Sequence, residues 1–419
     1  MAERIPLAIV GCGGMGHRHL YGLAELESVG HNPFVLVAAV DPNAENARSL
    51  AVEATQRLGR APQIVSDLAA LARTVPDLQA IDLCTDPARH HSLAAEALGR
   101  GWHVMVEKPM GLTVRACQAM LAAEAQSAGR ILSVAENYRR DPINRLARAL
   151  LAAGAIGEPR LHLEQGVGGG DRIFLTPWRH QKHASGLLVD VGVHYADMLE
   201  YFHGEVERVY AETRLHERIR YRPEESGRGA PGFYRRWPLP DAIEPTAEDA
   251  AYALLTFANG RVAQYTEDHA GHGRPLRQRL VYGSDGALEL PGDRTGQPIR
   301  LFTRRGECWD DARLLEWVPD FRLDPVTAAL YGGDRLWRYD LAFAETDRKI
   351  IAIEYADFGA AIAAGATPEV TATQGARSVA ICYAMLESGR LRQPVTLADV
   401  LAGKVSGYQA EIDAHLGLA

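Results

Sequence analysis

Over residues 5–136 short apolar runs alternate with stretches of amphipathic, helix-like pattern. Apolar runs at 7–10, 34–40, 64–65, 80–84, 103–106 and 131–134 predict six strands. Helical patterning between them predicts helices beginning at 17–26 and spanning 43–58, then one running to residue 72, then 89–99. Ser66 or Asp67 is a candidate cap for the third of these. Strands that alternate with helices across short loops predict a doubly wound parallel sheet. In such sheets ligands bind at the carboxyl ends of the strands. The turn Gly11-Cys12-Gly13-Gly14-Met15-Gly16, Asp41, Thr85-Asp86-Pro87 and Glu107-Lys108-Pro109 all fall there.

After residue 137 the pattern changes. A helix is expected over 142–153, ended by Gly154 and Gly157. Extended runs follow at 159–166, 206–215, 250–257, 261–268, 277–282 and 286–290, so a large, mostly antiparallel sheet is expected. Asn259-Gly260 suits a primed two-residue hairpin turn. Residues 186–201 read as one helix, and 358–364 and 375–388 as closing helices. The polar, proline-rich stretch 220–245 reads as a loop, with Phe233, Tyr234 and Trp237 as candidate lid or contact residues. The expected fold is therefore α/β over 1–136, followed by an α+β domain over 137–419 with an open sheet.

Bulk properties narrow the function classes. The chain has 419 residues, 47% hydrophobic and 23% charged, with a net charge of −8 and no long run of one sign. That balance argues against nucleic acid as a partner. No apolar run approaches the ~20 residues that span a bilayer, so no membrane role is expected. The five cysteines are scattered without a C-x-x-C spacing. They read as buried reduced thiols of a cytoplasmic protein. The histidines at 17, 19, 90, 91, 180 and 183 have no matching Cys/Asp/Glu constellation, so no metal is expected.

Three groups carry candidate chemistry. Gly11-x-Gly13-x-x-Gly16 follows a strand and opens a helix, which is the context for a dinucleotide pyrophosphate at a helix N-terminus. Gly14 and Met15 complete that turn. Asp41 ends the second strand, where a carboxylate accepts the adenosine ribose hydroxyls and repels a 2′-phosphate, favouring NAD. Lys108 follows the fifth strand, where its ammonium can hold a substrate hydroxyl and stabilise a developing alkoxide. Glu107 is placed to orient it, and Pro109 to fix the turn, with a cis bond as one form open to it. Thr85, Asp86 and His90 are candidates for the nicotinamide side. Asp190 and His194, four residues apart, would share one helix face. A carboxylate beside an imidazole fixes its tautomer and makes it a suitable general base. Asp197 and Tyr201 extend that face.

The glycine turn, Glu107-Lys108-Pro109, Glu136-Asn137-Tyr138-Arg139, Trp178-Arg179 and Asp190-x-Gly192-x-His194 together resemble the glucose–fructose oxidoreductase/inositol dehydrogenase (Gfo/Idh/MocA) family. The resemblance implies a Rossmann domain that binds NAD. It implies Lys108, Asp190 and His194 as catalytic residues, and Tyr138, Arg139, Trp178 and Arg179 with them as the substrate pocket. The chain departs from the family before the Asp/His segment, where Ala184-Ser185-Gly186 keeps one glycine of a frequent three. The implied activity is hydride transfer between NAD and a secondary hydroxyl of a sugar, polyol or glycoside, by a homodimer or homotetramer. Two alternatives stand: a redox-neutral reaction through transient oxidation, and a non-catalytic ligand-sensing regulator.

Overall fold

The computed structural model describes residues 4–223 and 239–418. Phe233, Tyr234 and Trp237 lie outside the described residues. The chain divides into two compact units. The first comprises Met1–Asn137, Pro325–Gly332 and Ala344–Ala376; the second comprises the rest. The expected division put everything after 136 in the second domain. Instead, two later segments fold with the first.

In the first unit β1 (Ile5–Val10), α1 (Gly14–Ser28), β2 (Phe34–Val40), α2 (Ala44–Leu58), β3 (Gln63–Val65), α3 (Leu68–Thr74), β4 (Ala80–Leu83), α4 (Pro87–Gly99), β5 (His103–Glu107), α5 (Val114–Gln126) and β6 (Leu132–Ala135) alternate. The six strands are parallel in the order β3-β2-β1-β4-β5-β6. This is a doubly wound Rossmann sheet whose order reverses beside β1, the usual place for a ligand crevice. Side-chain caps set several helix starts: Asn43 accepts from Glu45 N, Asp67 from Ala70 N and Asp86 from Ala88 N. α1 starts three residues earlier than its pattern predicts, because the end of the glycine turn is already its first turn. Helix propensity disfavours glycine there, and packing overrides it.

The core of this unit is completed from far along the sequence. α9 (Pro325–Tyr331) and α10 (Phe343–Ala364) contribute Leu330, Ile351, Tyr355 and Phe358, which cluster with Leu23, Leu26 and Phe34. Residues 358–364 are thus the end of a 22-residue helix.

The second unit opens with α6 (Pro142–Ala152), capped by Asp141, and is built on a nine-stranded sheet. Its strands are β7 (Pro159–Gly169), β8 (Val206–Arg214), β11 (Ala250–Phe257), β12 (Val262–Gly271), β13 (Leu276–Gly283), β14 (Gly286–Leu290), β15 (Arg300–Thr303), β16 (Cys308–Trp309) and β17 (Val395–Thr396). A two-residue ribbon, β9 (Arg220–Tyr221) with β10 (Ala242–Ile243), ties together the described ends of the 220–245 stretch. The order is β16-β15-β14-β13-β7-β12-β11-β8-β17, antiparallel except for β7 beside β12. The β11–β12 turn differs from expectation. Only Gly260 has positive φ, and Phe257 N donates to Arg261 O across three residues. That is a three-residue loop with a glycine bulge, not a primed turn.

Residues 186–201 do not form one helix. α7 (Leu187–Asp190) stops at Val191 and α8 (Gly192–His203) starts anew. His194 N bonds back to Val191 O, three residues earlier, at 3.1 Å. α8 opens on Gly192, where a Cβ would lie 3.0 Å from Glu267 Oε2 and 3.2 Å from Cys382 Sγ, so a larger residue is crowded there. α11 (Ala372–Leu391) holds Cys382 and encompasses the expected 375–388 helix. Short helices α12 (Leu397–Leu401) and α13 (Ala410–Leu416) end the chain. No described helix is long and apolar enough to cross a membrane. Four cysteines are buried and free; Cys308, on β16, is exposed, contrary to expectation.

Candidate active site

The glycine turn is built around two contacts and one opening. Gly11 has φ +95°, and a Cβ there would lie 2.7 Å from the Cys84 carbonyl. A Cβ on Gly16 would lie 2.2 Å from Gly11 O, so α1 packs against the turn backbone. A Cβ on Gly13 would meet nothing within 4 Å. Gly13 is also the N-cap of α1 and offers no side-chain cap. The positive end of a 15-residue helix thus lies beside open space, where a pyrophosphate is stabilised by backbone N–H groups and the helix dipole. Asp41 is nearly buried and pinned: Oδ2 accepts from Cys12 N at 2.9 Å and Oδ1 from Asn43 N at 2.8 Å. Each oxygen keeps a further acceptor site for a ribose hydroxyl. These residues fit a dinucleotide.

Three other candidates on this side have partners within the fold. Asp86 caps α4. His90 is fully buried, with Nδ1 3.0 Å from Pro109 O and Nε2 3.1 Å from Thr85 O. Burial pushes its pKa down. Through these two contacts it ties α4 to the turn that follows Lys108. Glu107 likewise points inward, with Oε1 3.0 Å from His19 Nε2 and Oε2 accepting from Lys108 N at 2.9 Å.

That glutamate belongs to a buried network. His19 Nδ1 is 2.9 Å from Asp82 Oδ2, and Tyr355 OH donates to the same oxygen at 2.5 Å. Burial, the largest single effect, favours a neutral imidazole, but the charges and hydrogen bonds around it, Asp82 first among them, together outweigh it and hold the His19 pKa well above its ordinary value. An imidazolium between Asp82 and Glu107 makes two charge-assisted hydrogen bonds. It also offsets the cost of burying Glu107, whose pKa is held down by His19 against desolvation. The chain thus anchors Lys108 through Glu107, His19, Asp82 and Tyr355. The Lys108–Pro109 bond is cis, and Lys108 itself is partly exposed. His19, Asp82 and Cys84 bring ligand atoms within 4.8 Å of one another. Both His19 nitrogens face carboxylates, however, and burial pushes the Cys84 thiol pKa well up. The group is a hydrogen-bonded anchor rather than a metal centre.

In the second unit the ring of His194, in the first turn of α8, stacks on Tyr138 at 4.3 Å and 5°. Tyr195 meets Tyr138 edge-on at 6.1 Å. Asp190 accepts from Arg179 Nε at 2.8 Å, and the Arg179 guanidinium lies 4.3 Å above the Trp178 ring. Arg139 is buried; its Nε donates to Asp197 at 2.8 Å, and its guanidinium sits 5.1 Å from the Tyr201 ring centroid. Arg139, expected in the substrate pocket, is therefore half of a structural ion pair, and so is Asp197. Glu267, under the start of α8, accepts from Tyr265 OH and pairs with His269 Nε2 at 2.7 Å.

Two family models match. One, described as an oxidoreductase family with an NAD-binding Rossmann fold, covers residues 5–136; the other, a GFO/IDH/MocA C-terminal domain, covers 144–289. The chain belongs to the Gfo/Idh/MocA oxidoreductase family. NAD is its cofactor. It is 28% identical to levoglucosan dehydrogenase of Pseudarthrobacter phenanthrenivorans over 96% of this chain and 100% of that one. It is 28% identical to D-apiose dehydrogenase of Paraburkholderia graminis, over 70% of this chain and 68% of that one. Among solved structures, an oxidoreductase domain protein from Kribbella flavida matches with TM-score 0.74 at 24% identity, over 94% of this chain and 99% of that one. A levoglucosan dehydrogenase complexed with NADH and levoglucosan matches with TM-score 0.72 at 24% identity, over 94% and 100%. These likenesses agree on the fold.

In this oxidoreductase the glycine turn, Asp41, Thr85 and Lys108 stand in the first unit, and Tyr138, Trp178, Arg179, Asp190 and His194 in the second. Sequence reasoning missed the roles of His19, Asp82 and Tyr355. One signal was available: His19 falls at helical spacing on the buried stripe of Gly16, Leu20 and Leu23.

Proposed function

We propose that this oxidoreductase removes hydride from a secondary hydroxyl of a sugar, polyol or glycoside. The observation that carries the reading is His194, held flat against Tyr138 in the first turn of α8, with Asp190 fixed by Arg179 beside the break in the helix. Lys108 donates to the substrate hydroxyl and stabilises the oxyanion as the O–H bond weakens. His194 accepts the proton. When bound, the nicotinamide supplies the hydride acceptor, so the C–H and O–H electron pairs become a C=O bond and a reduced cofactor. Trp178 offers a flat face to sugar C–H groups, and Arg179 and Asp190 offer a donor and an acceptor. The relatives that oxidise levoglucosan and apiose support a carbohydrate substrate.

The test is a screen of sugars, polyols and glycosides with NAD, following NADH and product mass together. Lys108→Ala and His194→Ala should each lower turnover by ~10²–10⁴-fold while NAD binding persists. Near-normal turnover of Lys108→Ala refutes its role. Product without net NADH would instead mean redox-neutral chemistry.

The chain also self-associates through the open face of the large sheet. Tyr210, Tyr252, Leu254, Leu276 and Tyr282 share that face, each more than a third exposed. Five large side chains on one sheet face form a patch that water covers poorly, and a second copy of the same face is the simplest cover.

A further inference from the structure

A cavity of about 300 Å³ opens in the second unit between α8 and the sheet, bordered by Tyr138, Tyr195, His269, Arg277, Arg279 and Arg294. It abuts the stacking partner of the proposed base, since Tyr138 is the ring on which His194 lies. The charges around it do not balance. Three arginines line the cavity against two acids, Glu164 and Asp293. Both acids are bound to one of those arginines: Arg279 Nε donates to Glu164 at 2.6 Å and Nη1 to Asp293 at 2.8 Å. Arg277 is different. Its Nη1 donates to Tyr195 OH at 2.7 Å, and no carboxylate lies within salt-bridge distance of it among the described residues. Tyr195 is neutral, because burial pushes its pKa up. A guanidinium has five N–H donors in a fixed fork, suited to two oxygens of one anionic group. Arg277 is exposed at the cavity's edge, and one neutral phenol engages only one of those donors.

We propose that this cavity seats an anionic substituent of the substrate, a carboxylate or a phosphate, on Arg277. The substrate class becomes acidic sugars: uronic acids, or sugar phosphates. The inference rests on the carbohydrate reading above and adds a charge to it. Arg139 and Arg179, the arginines that the resemblance placed in the substrate pocket, each already face a carboxylate, Asp197 and Asp190. Charge recognition passes to a residue that the sequence did not single out.

The experiment uses the full chain with NAD. Glucose, galactose and mannose, each with its uronate and its 6-phosphate, are titrated by saturation-transfer NMR, and NADH is read in parallel. In at least one series an anion should bind about 10- to 100-fold more tightly than its parent sugar, the range for a charge-assisted pair. Arg277→Gln should remove most of that difference, lowering anion affinity more than that of the parent sugar, and Arg277→Lys should restore part of it. A preference for uronate over phosphate, or the reverse, names the group. Equal or tighter binding of the neutral sugar in every series overturns the proposal. So does an anion preference that Arg277→Gln leaves intact in a protein that melts normally. Anions that bind without forming NADH leave this proposal standing and count against the dehydrogenase reading.

Discussion

Replacing Asp41 by Ser should convert a strict preference for NAD into tolerance of NADP. The carboxylate is held by Cys12 N and Asn43 N, so it cannot swing away from a 2′-phosphate. In water, unit charges at ~4 Å interact by about 1 kcal/mol. A phosphate of charge about −1.5 to −2 is therefore repelled by roughly 1.5–2 kcal/mol at the least. The site is nearly buried, so the water value is a floor. Hydrogen bonds from ribose hydroxyls to a charged acceptor contribute about 1.5–3 kcal/mol to NAD binding. Removing both effects should shift the ratio of the NADPH and NADH dissociation constants by about 3–5 kcal/mol, or roughly 10²- to 4 × 10³-fold. Quenching or enhancement of nicotinamide fluorescence on titration gives both constants, and a thermal melt of the apoprotein checks that the turn has survived the loss of two acceptors. A ratio that moves less than about threefold in a folded variant would refute the reasoning. Tighter binding of NADPH by the unaltered protein would refute it sooner.

Ser185 has φ +136° and a buried hydroxyl without a partner. Ser185→Gly should therefore raise stability by about 1–2 kcal/mol, being relief of ~1–3 kcal/mol of strain less the added entropy of glycine; a lower melting temperature contradicts this. His180 accepts a hydrogen bond from Phe174 N at 2.9 Å, and burial, with Arg220 nearby, pushes its pKa down to about 3. The unfolded chain takes up this proton below about pH 6.5 and the folded one does not, so stability should fall by at most ~1.4 kcal/mol per pH unit from about 6.5 toward 4. Denaturant melts of His180→Gln should show a shallower fall, and an unchanged slope excludes His180 as the cause. Light scattering should give a dimer or tetramer, and Leu254→Lys should shift it toward monomer; a monomeric unaltered protein ends the open-face reading.

Much of this was legible because it is local. The six parallel strands follow from apolar runs, and the glycine turn from the strand before it and the helix after it. Asp41 and Lys108 stand at strand ends, which pattern alone locates. What was not legible depends on partners distant in sequence. His90 looked like a cofactor contact until its two nitrogens were found on Thr85 O and Pro109 O. Arg139 looked like a substrate ligand until Asp197 was found against it. The four-residue spacing of Asp190 and His194 implied one continuous helix, whereas the helix is interrupted at Val191 and restarts at Gly192, a position crowded by Glu267 and Cys382 from far along the sequence. Spacing along the chain carries no information about what approaches from the side.

The interrupted first unit has a consequence for how the protein is made. Tyr355 supplies the hydroxyl that reaches Asp82, and Ile351 and Phe358 fill the space beside Leu23 and Phe34. None of these has been synthesised when the ribosome finishes β6. At ~5–20 residues per second, the nascent nucleotide-binding half waits roughly ten seconds or more with one side of its core open and His19, Asp82 and Glu107 uncovered. Contacts of such long sequence separation are slow to form. A gene fragment cut after Asn137, though it spans the whole Rossmann sheet, encodes an unfinished object that would gather on chaperones or aggregate. Borrowing this cofactor domain for a chimera requires carrying the 325–332 and 344–376 segments along with it.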